Sequence, residues 1–277
     1  MKVFLTGGTG VVGSALIPEL LRDPDTSITL LMRADDGERL EARRQALLDF
    51  LRRHYAQTLP ADAKARVEAV AGDITAEKLG LGPEALTRVI AETTHYIHSA
   101  ANVRMNLSLD EARRSAVHAT REVVSMARQS PNFRKLDFVS TVGVGGRMDA
   151  PLPERWIDAP REFHNTYEAS KAEAEEILRV EADQGLALTV HRPSMVVGDS
   201  RSGAVIHFQI FYFLCEFLSG KKTLGIYPSL RGGTLDIIPN DYVAQAIAWS
   251  ARTSEAGGKI FHLCAGPRDA LALEPLK

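Results

Sequence analysis

A chain of 277 residues can bury one large α/β domain or two small ones, and its 45% hydrophobic and 25% charged content is that of an ordinary globular protein. A net charge of −2 argues against nucleic acid as a partner, and no run of about eighteen uncharged apolar residues is present to span a membrane. Cys215 and Cys264 lie far apart and share no metal-ligand spacing. With no signal peptide expected ahead of a strand that starts at residue 2, they read as buried thiols of a reducing, cytoplasmic compartment, and no metal site is expected.

The first thirteen residues organise the rest. Val3 to Leu5 are apolar and β-prone, Gly7, Gly10 and Gly13 recur at three-residue spacing, and Ser14 to Leu21 reads as helix. Strand, glycine turn and helix together bind dinucleotides. The first glycine allows the tight turn, the second lets backbone approach a pyrophosphate, and the third lets helix pack on strand. The helix N-terminus then offers unpaired N–H groups and a positive dipole end to the phosphates. Gly7, Thr9, Gly10, Val11, Val12 and Gly13 are therefore candidate cofactor-binding residues, although the spacing is G-x-x-G-x-x-G rather than G-x-G-x-x-G.

Ser27 to Met32 is the second strand and ends in Arg33-Ala34-Asp35-Asp36. An acidic residue at this tip would accept from the 2′-OH of NAD, whereas an arginine favours the 2′-phosphate of NADP. Arg33 points to NADPH over NAD, with Arg43 or Arg44 as a second charge; a solvated strand end is the alternative. Glu38 to Tyr55 is a long charged helix, and Val67 to Ala71 is a strand closed by Gly72-Asp73-Ile74-Thr75. Asp73 and Ile74 are placed to flank adenine, a cap or turn role for Asp73 being the alternative. Pro83 to Glu92 is helix. Thr94 to Ser99 is strand and runs into Ala100-Ala101-Asn102-Val103, and the small side chains of Ser99, Ala100 and Ala101 at this edge leave room for a cofactor. His98 reads as a core histidine. A helix over Leu109 to Gln129 and a strand over Leu136 to Ser140 continue the alternation, which argues a parallel sheet covered on both faces.

Thr141 follows the fifth strand at the edge where ligands bind in open α/β sheets. Tyr167-Glu168-Ala169-Ser170-Lys171 opens a helix to about Asp183, and the four-residue spacing puts Tyr167 and Lys171 on one face. A phenol titrates near pH ~10; a neighbouring ammonium is expected to lower that value. The pair can move a proton at a carbonyl oxygen while hydride moves on carbon, and the Thr141 hydroxyl would bond the same oxygen.

Beyond this, Leu186 to His191 is the sixth strand. Ala204 to Leu218 is strongly apolar and reads mainly as a packed helix. Its inner face would form a small greasy pocket; the alternative is a surface that leans on a partner or a membrane. Ile237 to Ala244 opens a helix capped by Asn240 or Asp241, and Lys259 to Leu263 is a last strand. The expectation is an α/β fold: a Rossmann-type doubly wound parallel sheet over residues 1–198 with a small C-terminal substrate lobe over 199–277, of which 234–265 partly returns to the core.

The segments Thr6 to Gly13, Gly72-Asp73-Ile74, His98 to Ala101, Val139-Ser140-Thr141, Tyr167 to Lys171 and Arg192-Pro193-Ser194 together resemble the extended short-chain dehydrogenase/reductases. The resemblance implies Thr141, Tyr167 and Lys171 as catalytic hydroxyl, acid/base and lysine. It implies that Lys171 bonds the nicotinamide ribose and that Pro193, Ser194 and Val196 line the nicotinamide. Leu31 to Ala34, His98 to Val103 and Arg192 to Gly203 are similar to the thioester reductase and fatty acyl-CoA reductase branch, which includes carboxylic acid reductase terminal domains. That branch uses NADPH to reduce an acyl thioester, on coenzyme A or an acyl carrier protein, to aldehyde and sometimes alcohol. Two departures stand out. Ala116 occupies the place of an asparagine that helps a proton relay, and the chain ends where relatives continue with further substrate-binding helices, as a shortened form or with part of the lobe missing. The rival readings are a nucleotide-sugar epimerase or dehydratase, a hydroxysteroid-type dehydrogenase, and a non-catalytic dinucleotide sensor.

Overall fold

The computed structural model describes residues 1–100, 102–220 and 232–273; the candidate cofactor residue Ala101 lies outside them. In chain order, strands β1 (Lys2–Thr6), β2 (Ser27–Met32) and β3 (Val67–Ala71) are joined by helices α1 (Val11–Leu21), α2 (Gly37–His54) and the short α3 (Ala63–Arg66). Then come α4 (Pro83–Glu92), β4 (His95–His98), α5 (Leu109–Arg113), α6 (Ala119–Gln129), β5 (Lys135–Val139), α7 (Thr166–Asp183), β6 (Leu188–Pro193) and β7 (Met195–Val197). The chain continues through α8 (Ile210–Leu218), β8 (Thr234–Leu235), β9 (Ile237–Pro239), α9 (Asn240–Arg252), β10 (Ile260–Leu263), α10 (Gly266–Asp269) and β11 (Leu271–Ala272).

The main sheet has the order β10-β6-β5-β4-β1-β2-β3, and every neighbouring pair is parallel. The order reverses between β1 and β4, which makes a crevice at their C-terminal ends. Alternate strand residues feed two cores. Val3, Leu5, Ile28, Leu30 and Ile97 join α1, α2 and α9 on one face; Phe4, Tyr96, Leu136, Phe138 and Val190 join α4, α6 and α7 on the other. Burial on both faces explains why these strands read as apolar runs. Two small sheets, β7 with β9 and β8 with β11, lie beyond the end of β6.

A polar cluster sits inside the α9 face. Ser250 Oγ and His191 Nε2 donate to Asp137 Oδ1 at 2.6 and 2.9 Å, and Lys135 Nζ donates to Ser250 Oγ at 2.8 Å. All four side chains are buried.

The structure differs from the sequence reading at four places. The single helix over 109–129 is broken by a π turn, Arg114–His118, between α5 and α6. The apolar stretch 204–218 is helical only from Ile210, and of α8 only Leu218 is buried; Phe208 is 71% and Phe213 61% exposed. Residues 237–239 are strand, and α9 starts after Pro239 with no side-chain cap. Asp241 instead accepts from the backbone and hydroxyl of Ser200, and Asn240 donates to the Ala204 carbonyl. Cys215 and Cys264 are partly exposed rather than buried.

Candidate active site

The glycine turn lies at the crevice. Gly7 has φ +76°, and a β-carbon there would meet the Ser99 carbonyl at 2.7 Å. Backbone thus crosses backbone where β1 and β4 part. Gly10 donates its N–H to the Gly7 carbonyl at 2.8 Å and stands at the N-cap of α1, which has no side-chain cap. The first-turn N–H groups of Val11, Val12 and Gly13 therefore have no partner within the helix. Partly exposed Thr9 precedes them.

At the far end of the crevice Arg33 is exposed. The acidic neighbours that would compete with it are spent on α2: Asp36 accepts from the Arg39 N–H at 2.7 Å and Asp35 from the Arg39 guanidinium at 2.5 Å. Arg44 is likewise engaged, by Glu41 and the Lys64 and Val67 carbonyls, whereas Arg43 is exposed. Asp73 takes the turn role, one oxygen accepting from both the N–H and hydroxyl of Thr75. Burial pushes its carboxyl up, but the Thr75 bonds and the Arg33 charge outweigh that and hold it below the usual range. Ile74 packs on the core beside it, and Ser99 and Ala100 follow β4.

The other end of the crevice holds the hydroxyl, phenol and amine. Asn165 caps α7 by accepting from the Glu168 N–H at 3.0 Å, which places Tyr167 in its first turn. Lys171, one turn on, is 2% exposed; its Nζ donates to the Val139 carbonyl at 2.7 Å and lies 4.0 Å from the Phe138 ring centre. Thr141, two residues past Val139, accepts from the Gly143 N–H at 3.1 Å, so its hydroxyl proton remains free to donate.

The electrostatics reverse the expectation for Tyr167. Burial, with the nearby Glu168 carboxylate, pushes its hydroxyl up to about 12 rather than down. Lys171 cannot oppose this, because its own burial draws it down to about 7 against the pull of Glu175. Among the described residues the Tyr167 hydroxyl has no hydrogen-bond partner; it is a neutral proton donor at neutral pH. His98 is the core histidine expected: Nδ1 pairs with Thr6 Oγ1 at 2.6 Å, and burial, then Lys171, bring it down to about 3.

At the end of β6, Pro193 is buried, and just past it Ser194 donates its N–H to the Leu263 carbonyl at 3.0 Å. Ser194 Oγ is buried with no partner among the described residues, and Val196 is partly buried on the α1 core. An uncapped helix N-terminus, a glycine turn too tight for β-carbons and an orphaned serine hydroxyl fit a dinucleotide laid across the crevice.

A family model described as male sterility protein, an NAD-binding family, matches residues 5–247. The chain belongs to this family. FrzA of Cladobotryum sp, a non-canonical nonribosomal peptide synthetase, is 30% identical over 274 residues, which is 95% of this chain and 26% of FrzA. The fatty acyl-CoA reductase wat of Drosophila melanogaster is 26% identical over 280 residues, 90% of this chain and 53% of wat. The crystal structure of the terminal R domain from the myxalamid PKS-NRPS pathway has a TM-score of 0.83 at 29% identity, over 99% of this chain and 67% of that one. The chain thus spans about a quarter of FrzA and half of wat. Membership of the male sterility protein family agrees with the resemblance carried by the glycine turn, the Tyr167–Lys171 pair and Arg192-Pro193-Ser194, and with the doubly wound sheet.

Sequence reasoning missed Glu175, and gave Ser140 no role beyond its place in the Val139-Ser140-Thr141 segment. Glu175 accepts from Arg192 and from Ser140 Oγ in the buried interior behind Lys171. The one available signal was the four-residue step from Lys171 to Glu175, which puts both on one helix face.

Proposed function

We propose that the chain reduces an acyl thioester, carried on coenzyme A or on an acyl carrier protein, to the aldehyde or on to the alcohol, using NADPH. The observation that carries this reading is the juxtaposition at the end of β5. The Lys171 ammonium is tethered to Val139, two residues before a Thr141 hydroxyl free to donate, with neutral Tyr167 one turn away on the same helix face.

Gly7, Thr9, Gly10, Val11, Val12 and Gly13 would hold the pyrophosphate, Asp73, Ile74, Ser99, Ala100 and Ala101 the adenosine side, and Pro193, Ser194 and Val196 the nicotinamide. Arg33, with Arg43, would meet the 2′-phosphate, since the nearby aspartates are paired elsewhere. The reduced nicotinamide, when bound, supplies hydride to the carbonyl carbon. Tyr167 donates its proton to the carbonyl oxygen, and Thr141 donates a hydrogen bond to the same oxygen. Lys171 spends one N–H on Val139 and has two more for the ribose hydroxyls and the Tyr167 oxygen. From a thioester this gives a hemithioacetal, which collapses to aldehyde and free thiol.

The substrate lobe in this reading is residues 199–277, of which 234–265 partly return to the core through α9 and β10. Tyr212 of α8 accepts from the Gly198 N–H at 2.9 Å, which ties α8 to the chain just past β7, and α8 leaves Phe213 and Phe217 exposed. These side chains suit an acyl chain better than a sugar. No helix among the described residues is long and apolar enough to cross a membrane.

The test is NADPH consumption with a panel of acyl-CoAs, carrier-bound acyl groups and aldehydes, alongside Tyr167→Phe. Turnover by the wild type is expected, falling about 10²–10⁴-fold in Tyr167→Phe with cofactor binding retained. Protein that binds NADPH but turns over none of the panel overturns the reading.

A further inference from the structure

Behind the candidate catalytic residues lies a buried knot of three side chains from three segments. Arg192, at the end of β6, donates from Nε to Glu175 Oε1 at 3.0 Å and from Nη2 to Oε2 at 2.6 Å. Ser140 Oγ donates to the same Oε1 at 2.5 Å. The guanidinium also donates to the carbonyls of Pro153 and Arg155 at 2.9 and 3.1 Å. Arg192 is 0% exposed and Glu175 4%.

Stability is a poor reason for such a pair. Taking two ions fully out of water costs about as much as their attraction returns, and apolar replacements of similar volume often do as well. Placement is the better reason. Ser140 immediately precedes Thr141, Glu175 follows Lys171 by one turn on the same face of α7, and Arg192 precedes Pro193 and Ser194. The knot therefore ties together the three segments that carry the hydroxyl, the amine and the nicotinamide-side residues. The bidentate fork fixes orientation as well as distance.

We propose that Glu175 and Arg192 are positioning residues: their ion pair holds α7 in register against the ends of β5 and β6, and the Glu175 carboxylate is the counter-charge of the Lys171 ammonium. The roles of Thr141 and Lys171 are those of the reductase reading above. Facing Lys171 are Tyr167 and Glu175 from α7, the Val139 carbonyl and Phe138 ring from β5, neutral His98 from β4, and, through Glu175, Arg192 from β6. The π turn packed against α7 buries Ser115, Ala116 and Val117, none of them charged. Glu175 is thus the carboxylate that opposes the loss of the Lys171 proton on burial.

The experiment is an NMR pH titration of the full chain labelled with ¹³C at lysine Cε, with Lys171→Met to assign the resonance. Glu175→Gln is expected to move the Lys171 midpoint down by about one pH unit or more, and to shift the activity profile to acid by the same amount. Glu175→Asp, which keeps the charge, is expected to restore most of the midpoint while kcat stays low, because the shorter arm breaks the register. If Glu175→Gln does not fold, Glu175→Gln/Arg192→Met removes both buried charges and leaves neither unpaired; Lys171 is again expected to titrate below wild type. A wild-type midpoint in the folded single or double variant overturns the proposal. The titration needs no turnover, so an inactive wild type would count against the reductase reading alone.

Discussion

Gly13 sits against the Gly7 carbonyl so closely that a β-carbon on Gly13 would lie 2.2 Å from that oxygen and 2.9 Å from the Gly8 α-carbon. Both neighbours are backbone, so no side chain can swing aside. Gly13→Ala must push α1 away from the turn that ends β1. The expected loss is about 1–3 kcal/mol of stability, with NADPH binding reduced further than stability alone explains, because the displaced N–H groups are those of Val11 and Val12. Fluorescence titration with NADPH beside a urea melt measures both; unchanged binding would remove the glycine turn from the cofactor site.

Asp35 and Asp36, the acidic residues that follow Arg33 at the strand tip, both bond Arg39, and Asp73 across from it accepts from Thr75. Arg33→Ala is expected to weaken NADPH by about ten- to a hundredfold, the worth of a charge-assisted hydrogen bond, and to leave NADH almost unchanged. Equal losses for the two cofactors, read from kcat/KM, would show that Arg33 does not read the 2′-phosphate.

Lys171 makes stability depend on pH. Its folded pKa of about 7 lies below the ~10.4 of an exposed lysine. Between these values the unfolded chain binds more protons than the folded one, so stability rises with pH across that window. Below about 7 the burial penalty is present in full; above it the penalty fades. Lys171→Met carries no such penalty. Its Tm advantage over wild type is expected to be largest near pH 6.5 and to shrink steadily toward pH 9.5. A difference that does not change with pH would place the Lys171 amine in contact with water.

The strands and the parallel sheet were readable because parallel strands covered on both faces are written as apolar runs. The glycine turn was readable because each glycine answers a backbone need. Hydrophobicity was a poorer guide in the lobe: Phe208 and Phe213 are apolar yet exposed, since apolar sequence reports what burial would gain and not whether a partner is there. The π turn at Arg114–His118 left no mark in the apolar spacing. The Tyr167 pKa went the wrong way because spacing put Lys171 on the right face but said nothing of how deeply the phenol is buried or of the Glu168 carboxylate beside it. The Glu175–Arg192 pair joins residues on different elements, and no local period connects them.

Strand β5, Lys135-Leu136-Asp137-Phe138-Val139, is buried along its whole length. Its apolar residues Leu136 and Phe138 face one core, which leaves Lys135 and Asp137 to face α9. Asp137 Oδ1 accepts from Ser250 and His191, and Lys135 Nζ lies 3.5 Å away. Removing the carboxylate leaves an ammonium inside the sheet with only the Ser250 oxygens for partners, and His191 Nε2 with none. Asp137→Ala is expected to cost about 3–5 kcal/mol, whereas Ser250→Ala, which deletes one neutral hydroxyl, is expected to cost about 1–3 kcal/mol. The cluster lies on the α9 face, away from the Phe138 ring on which Lys171 rests. NADPH affinity, measured on protein still folded, should therefore be unchanged in both variants. Urea midpoints with an unchanged m-value report the stability terms. An Asp137→Ala loss no greater than that of Ser250→Ala would mean that water reaches the cluster and that the ion pair does not bind α9 to the sheet.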